Sequence, residues 1–160
     1  MTTSQREWDR RFVRLAVEAG TWSKDPDEGV GAVVVSASRR QFSFGYNGLP
    51  RGNPDSPLVL GDKALKNRLT IHAERNALDN APFDLEGATL YTTKPCCTEC
   101  MKGIIQRGVR RVVCLNWRPS SRWFLDQQAA RDLGTEHGVE VVVYTGPMTD
   151  LERAPDAHFS

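Results

Sequence analysis

Two short stretches hold the residues whose types and spacing could do chemistry. His72 and Glu74 stand two apart in Leu69-Thr70-Ile71-His72-Ala73-Glu74-Arg75-Asn76-Ala77-Leu78, at the head of a predicted helix. Further on, Thr93-Lys94-Pro95-Cys96-Cys97-Thr98-Glu99-Cys100 supplies thiols at a metal-ligand spacing. His72, Cys97 and Cys100 together offer Zn²⁺ three protein ligands and leave the fourth tetrahedral position for water. Open sites of that kind are catalytic, whereas structural zinc sites close with four protein ligands. Glu74 then stands beside the water as its proton acceptor.

The spacings carry geometric demands. Cys97 and Cys100 are i and i+3, so in the first turn of a helix their sulfurs share a face. The free amides and dipole of that turn favour thiolates. Either Cys96 or Cys97 is available as the first thiol ligand. Pairing Cys96 with Cys100 adds a residue and makes the first sulfur reach in from outside the helix, so the spacing favours Cys97 and leaves Cys96 a bystander at the pocket wall. His72 and Glu74, at i and i+2, do not share a face of a regular helix. His72 must therefore sit at the helix entrance and point sideways. Competing readings use the same residues: a His-x-Glu is common on helices, and a strand followed by Cys-x-x-Cys also describes a thiol redox site or a zinc scaffold. The two motifs in this order favour the open zinc site.

The positioning elements follow from periodicity. Trp8, Phe12, Leu15, Ala16 and Ala19 recur at helical spacing over Gln5–Ala19, with Gly20 as the stop. Val30–Ser36 reads as a buried strand. Arg39-Arg40 form a solvated hairpin tip before a second strand, Gln41–Tyr46, in which Phe42 and Phe44 alternate with polar positions. The Gly/Pro/Asn-rich segment Tyr46–Pro54 is a loop of the kind that carries function. Asp62–Leu69 is predicted to form a helical turn, and the His72 helix to run to Asn80. Strands at Ala88–Thr93, Arg111–Leu115 and Glu140–Tyr144 then alternate with helices at Cys97–Arg107 and Trp123–Leu133, with Gly134 and Gly138 framing a turn. Cys114 reads as a small buried hydrophobe and His137 as a surface histidine.

Strands joined by a tight turn pair antiparallel, and strands joined through helices favour parallel neighbours. The expected fold is α/β, a three-layer α/β/α arrangement with a five-stranded mixed sheet. One domain is expected over residues 1–145, followed by a polar, loosely held tail, 146–160, that contains His158. The chain has 160 residues, enough for one core. Four cysteines with no signal-peptide core near the N-terminus point to a reducing, cytoplasmic setting and to metal or catalysis rather than disulfides. No apolar run is long enough for a bilayer. A net charge of +1 with interspersed signs leaves no basic stripe for a polynucleotide.

H-x-E followed by P-C-x-x-C is a signature of zinc-dependent nucleobase deaminases. The chain resembles the zinc-dependent cytidine deaminase superfamily, and most closely its deoxycytidylate branch. The matching pieces are Ser23-Lys24-Asp25-Pro26, Val30-Gly31-Ala32, Gly45–Gly52, His72–Ala77, and Cys97–Cys100 with Ile104-Ile105-Gln106. The last of these keeps the family register only with Cys97 as ligand. The resemblance implies a cytidine deaminase-like fold, Zn²⁺ on His72, Cys97 and Cys100, and hydrolysis of dCMP or a 5-substituted dCMP to the uracil nucleotide and ammonia, with Glu74 carrying protons. Sister activities on a free base, a nucleoside or an RNA base stay open. It further implies that Asn47 holds the deoxyribose hydroxyl and that the Ala73 backbone reads the pyrimidine. Lys24 and Arg118 are expected at the phosphate, with Arg51, Arg68 and Arg122 as competitors. A homo-oligomer, dimer or hexamer, is expected. Asn53-Pro54-Asp55-Ser56-Pro57 lacks the cysteine and acidic pair of the nucleotide-regulated relatives, which speaks against regulation by dCTP and dTTP.

Overall fold

The structure, a computed structural model, describes residues 3–115 and 117–147. Ser4 caps the first helix, α1 (Gln5–Thr21), accepting from the Glu7 amide, and Phe12, Val13, Ala16 and Ala19 form its buried stripe. Strands β1 (Gly31–Val35) and β2 (Phe42–Tyr46) make the expected hairpin. The loop beyond carries two short helices, α2 (Pro57–Gly61) and α3 (Lys63–Leu69), where the sequence suggested a single turn. Then come α4 (Ala73–Asn80), β3 (Thr89–Thr92), α5 (Thr98–Gln106), β4 (Arg111–Cys114), α6 (Phe124–Glu136) and β5 (Glu140–Val143). Gly134 lies inside α6, against Met101, and the turn begins only at His137, which is exposed. Beyond Pro147 the expected polar tail, His158 included, lies outside the described residues.

The sheet runs β2-β1-β3-β4-β5. β1 is antiparallel to both β2 and β3, and β3, β4 and β5 are parallel. One face packs Ala32, Val34, Leu90 and Val112 against α4, α5 and α6 through Ala77, Leu78, Met101, Ile104 and Ala130. The other packs Val33, Val35, Tyr91 and Val113 against α1. β1 is therefore buried on both faces, which is why it reads as a continuous apolar run.

In β2 the aromatic side is the more open one. Ser43 and Gly45 face inward, while Phe42, Phe44 and Tyr46 stay exposed beside Phe12 and Trp22. The reason is steric. A Cβ on Gly45 would lie 2.4 Å from the Ala77 nitrogen and 2.6 Å from the Ala73 oxygen, so only glycine lets α4 come this close. Asn76 and Asn80 of α4 donate to the Tyr46 and Phe44 carbonyls, at 2.8 and 3.2 Å, and so occupy acceptors of the edge strand.

α1 is fastened to the sheet by a buried polar cluster. Arg111 donates to both oxygens of Asp9, at 2.7 and 2.8 Å, and the Tyr91 hydroxyl and Gln5 amide add bonds of 2.8 and 2.9 Å. Burial alone raises the Asp9 pKa, but these hydrogen bonds outweigh it and hold the carboxyl below its ordinary value. With the folded pKa below the unfolded value of about 3.9, the stabilisation is complete above that pH and is lost as pH falls through the folded pKa. Asp9→Ala is expected to cost on the order of 3 kcal/mol in urea unfolding at pH 7. The gap between variant and parent should narrow once the buffer falls below about pH 4; a gap independent of pH would contradict the ion-pair account.

Candidate functional site

The candidate site begins where the chain enters α4. Gly48 and Ile71 pair as an isolated antiparallel bridge, with N–H···O distances of 3.1 and 2.8 Å, and this sets the Tyr46–Gly52 loop beside the residue preceding His72. His72 itself is the N-cap of α4, with extended backbone (φ −70°, ψ 152°). That is the entrance position its spacing from Glu74 demanded. Ala73 and Glu74 open the helix, and both are buried.

The second half is the entrance to α5. Cys97 is the N-cap, its sulfur accepting from the Cys100 amide at 3.5 Å, so Thr98 rather than Cys97 is the first helical residue. Two residues of α6 hold this entrance, and nothing in the sequence marked them. Asp126 accepts from the Thr98 amide (2.9 Å) and hydroxyl (2.6 Å), and buried Gln127 donates to the Pro95 carbonyl at 3.1 Å.

The two entrances meet. His72 Nδ1 lies 3.4 Å from Cys97 Sγ and 3.5 Å from Cys100 Sγ, and the three donor atoms fall within 4.8 Å of one another. An imidazole with two thiols is a donor set that suits zinc. Hydrogen bonding from Cys100 and the nearby His72 pull the Cys97 thiol down to about 4, whereas the same contact with Cys97, together with burial, pushes Cys100 up. His72 is held above its ordinary value, mainly by Cys97. Cys96 is not part of this group; buried, it lines a separate small void with Met101, Val112 and Cys114. Glu74 Oε2 stands 3.8 Å from Cys100 Sγ, and burial pushes its carboxyl up from the ordinary value.

A cavity of about 310 Å³ opens over these groups, the size of a small-molecule site. Asn47, Ala73, His72, Glu74 and Cys97 all line it, as do Lys66, Lys94 and Arg122. The Asn47 side chain is held by the Asp25–Val30 loop: its Oδ1 accepts from the Val30 amide at 2.8 Å, and its Nδ2 donates to the Glu28 carbonyl at 3.0 Å. Lys94 bridges to Glu28 at 2.8 Å. Lys24 and Arg118 are not among the lining residues; Lys24 is exposed and pairs with Asp55 at 2.7 Å. Arg51 and Arg68 do not line the cavity either, whereas Arg122 does.

No helix among the described residues is long and apolar enough to cross a membrane. The family pattern of the cytidine and deoxycytidylate deaminase zinc-binding region matches residues 6–116. An uncharacterized deaminase from the luxG 3′ region of Aliivibrio fischeri is 39% identical over 137 residues, covering 84% of this chain and 92% of that protein. The deoxycytidylate deaminase of Homo sapiens is 35% identical over 117 residues, 69% of this chain and 65% of its own length, so the match leaves about a third of the human protein unaligned. Among solved structures, the dCMP deaminase of cyanophage S-TIM5, in complex with dCMP and dUMP, superimposes with a TM-score of 0.72 at 25% identity, over 89% of this chain and all of the other. With the His/Cys/Cys group and the buried glutamate in place, these matches show that the chain belongs to the cytidine and deoxycytidylate deaminase family, hydrolases of C–N bonds.

Proposed function

We propose that this protein converts dCMP, or a 5-substituted dCMP, and water to the corresponding uracil nucleotide and ammonia. The observation that carries this reading is a cavity lined by His72, Glu74, Cys97, Asn47 and Arg122, with Cys100 completing the His72/Cys97/Cys100 group beside it. The dCMP- and dUMP-bound cyanophage relative supports it.

His72 Nδ1 and the sulfurs of Cys97 and Cys100 are the ligands we assign to zinc. When bound there, zinc supplies a Lewis acid that makes water a nucleophile near neutral pH. The buried carboxylate of Glu74 takes a proton from the attacking water and delivers it to N3, beside the C4 that is attacked. Glu74 then takes the proton of the new C4 hydroxyl and passes it to the amino group, which departs as ammonia and leaves the uracil carbonyl. Its burial keeps bulk water from competing for these transfers. Ala73 is the first residue of α4, and its amide is one of the first-turn donors without an intrahelical acceptor. We assign it to the pyrimidine, and Asn47 to a sugar hydroxyl.

The phosphate is assigned by counter-charge. Of the cationic side chains on the cavity wall, Lys66 and Lys94 are paired with acids at 2.6–2.8 Å and Lys63 lies 3.7 Å from Asp27. Arg122 stacks over Trp123 at 5.0 Å and, among the described residues, has no carboxylate partner. Lys24 and Arg118, the residues expected from the sequence, stand off that wall, so we place the phosphate on Arg122. We also propose a homo-oligomer, for which the open aromatic face of Trp22, Phe42, Phe44 and Tyr46 offers apolar surface.

Glu74→Gln is expected to retain one zinc per chain while kcat falls by about 10² to 10⁴. Metal loss or near-normal turnover in that variant would remove Glu74 from the proton path. By metal analysis, Cys96→Ser should keep its zinc and Cys97→Ser should lose it; the reverse would move the ligand by one residue. In ammonia-release assays on cytosine, deoxycytidine, dCMP, dCTP and guanine, dCMP should lead. Arg122→Ala should lower kcat/KM for dCMP by about 10- to 100-fold and leave deoxycytidine nearly unchanged; equal losses would clear Arg122 of the phosphate. Light scattering at micromolar concentration should report more than one subunit, and a monomer refutes the oligomer.

A further inference from the structure

Lys66 is the largest fully buried side chain among the described residues, only 2% exposed, and it is a cation in the cavity wall. Its Nζ donates to Asp25 Oδ1 and to Asp27 Oδ2, each at 2.6 Å. Burying an ammonium is strongly unfavourable unless it is paired, and an apolar residue of similar volume would fill the same space without that penalty. Burial pulls its pKa down, but the bonds to the two aspartates outweigh it, and Lys66 stays charged. The arrangement calls for a reason beyond packing.

The partners of the clamp supply one. Asp25 and Asp27 belong to a tight turn in which the Asp27 amide donates to Asp25 Oδ1 at 2.8 Å. That turn leads directly into the Glu28 carbonyl and the Val30 amide, two of the groups that hold Asn47. The third is Asp25 Oδ2, 3.4 Å from Asn47 Nδ2. A backbone N–H can only donate, so the contact with Val30 identifies the atom facing it as the Asn47 oxygen. Both hydrogens of Nδ2 are then engaged by Glu28 and Asp25. What Asn47 has left is the second lone pair of Oδ1, and its side chain lines the cavity. A group presenting only an acceptor suits a hydroxyl donor and repels a phosphate oxygen.

We propose that Lys66 is a positioning residue for sugar recognition: it clamps the Asp25–Asp27 turn, and through that turn it holds the Asn47 amide so that Oδ1 accepts a hydrogen bond from a deoxyribose hydroxyl. The proposal rests on the nucleotide-deaminase reading given above. Lys66 touches no substrate itself, and its effect is transmitted through three hydrogen bonds to Asn47.

The test compares dCMP with 2′,3′-dideoxy-CMP, which lacks the hydroxyl, on zinc-loaded parent, Lys66→Met and Asn47→Ala. The parent should prefer dCMP by about tenfold in kcat/KM, the worth of one good hydrogen bond. In Lys66→Met that ratio should fall towards one, as in Asn47→Ala, with the loss in KM and with kcat and zinc content nearly unchanged. A merely structural role would lower both substrates together and keep the ratio, and that result overturns the proposal. Asp25→Asn covers the case in which Lys66→Met does not fold. Its oxygen can remain on Lys66, while its amide turns a donor against Asn47 Nδ2. A soluble Asp25→Asn enzyme that keeps the parent ratio also overturns the proposal. Failure of the nucleotide reading shows separately, as a parent enzyme that handles deoxycytidine as well as dCMP; the hydroxyl comparison then runs unchanged with deoxycytidine and its 2′,3′-dideoxy form. A parent indifferent to the hydroxyl in both series refutes the role of Asn47, and of Lys66 with it.

Discussion

An imidazole and two thiols can share one ion only if two helix entrances, 25 residues apart in the chain, lie within a few ångströms of each other. Sheet topology meets that constraint. β2 and β3 are both antiparallel to the strand between them and so run the same way, which puts their carboxyl ends on one edge of the sheet. The segment after β2 leads to the entrance of α4, and the segment after β3 leads directly into α5. β4, parallel to β3, delivers the start of α6 to the same edge, where Asp126 and Gln127 reach the α5 entrance. Binding at the carboxyl ends of parallel strands is the general habit of such sheets. Here it gathers the entrances of three helices around one cavity.

The cavity wall is divided electrostatically. The Asp25–Glu28 turn carries three carboxylates: Asp25 and Asp27 share Lys66, with Lys63 3.7 Å from Asp27, and Glu28 is bridged to Lys94. Arg122, also on the wall, has no such acid partner among the described residues. Glu74 is buried, and its raised pKa follows from that burial first, with Cys97 working in the same direction and His72 and Lys94 against it.

Much of this was legible in the sequence, because it follows from short-range rules. The i, i+3 spacing of the cysteines and the misfit of His72 and Glu74 on a regular helix together required two helix entrances, and both N-caps were found. Alternating and continuous apolar runs gave the strands to within a residue or two. What could not be read depends on contacts far apart in the chain. Lys66 sits in a short helix where any lysine looks like a solvated charge, and only the fold brings Asp25 and Asp27 to it. Asp126 and Gln127 look like ordinary polar helix residues until β4 sets their helix against α5. Lys24 and Arg118 were expected at the cavity because loops near a site tend to rim it, and loop direction is not encoded in local pattern. The alternation in β2 could be seen, but not that its Ser43 and Gly45 side faces inward, because the reason, the close approach of α4, lies elsewhere in the chain.

That close approach has a consequence for how the molecule fails. The helix that brings His72 and Glu74 to the cavity also covers the outermost strand, through Gly45 packing and the amides of Asn76 and Asn80. Loss of α4 docking would uncover a strand flanked by Phe42, Phe44 and Tyr46, with free carbonyls along its rim. Misassembly between chains and collapse of the catalytic pocket therefore share one trigger.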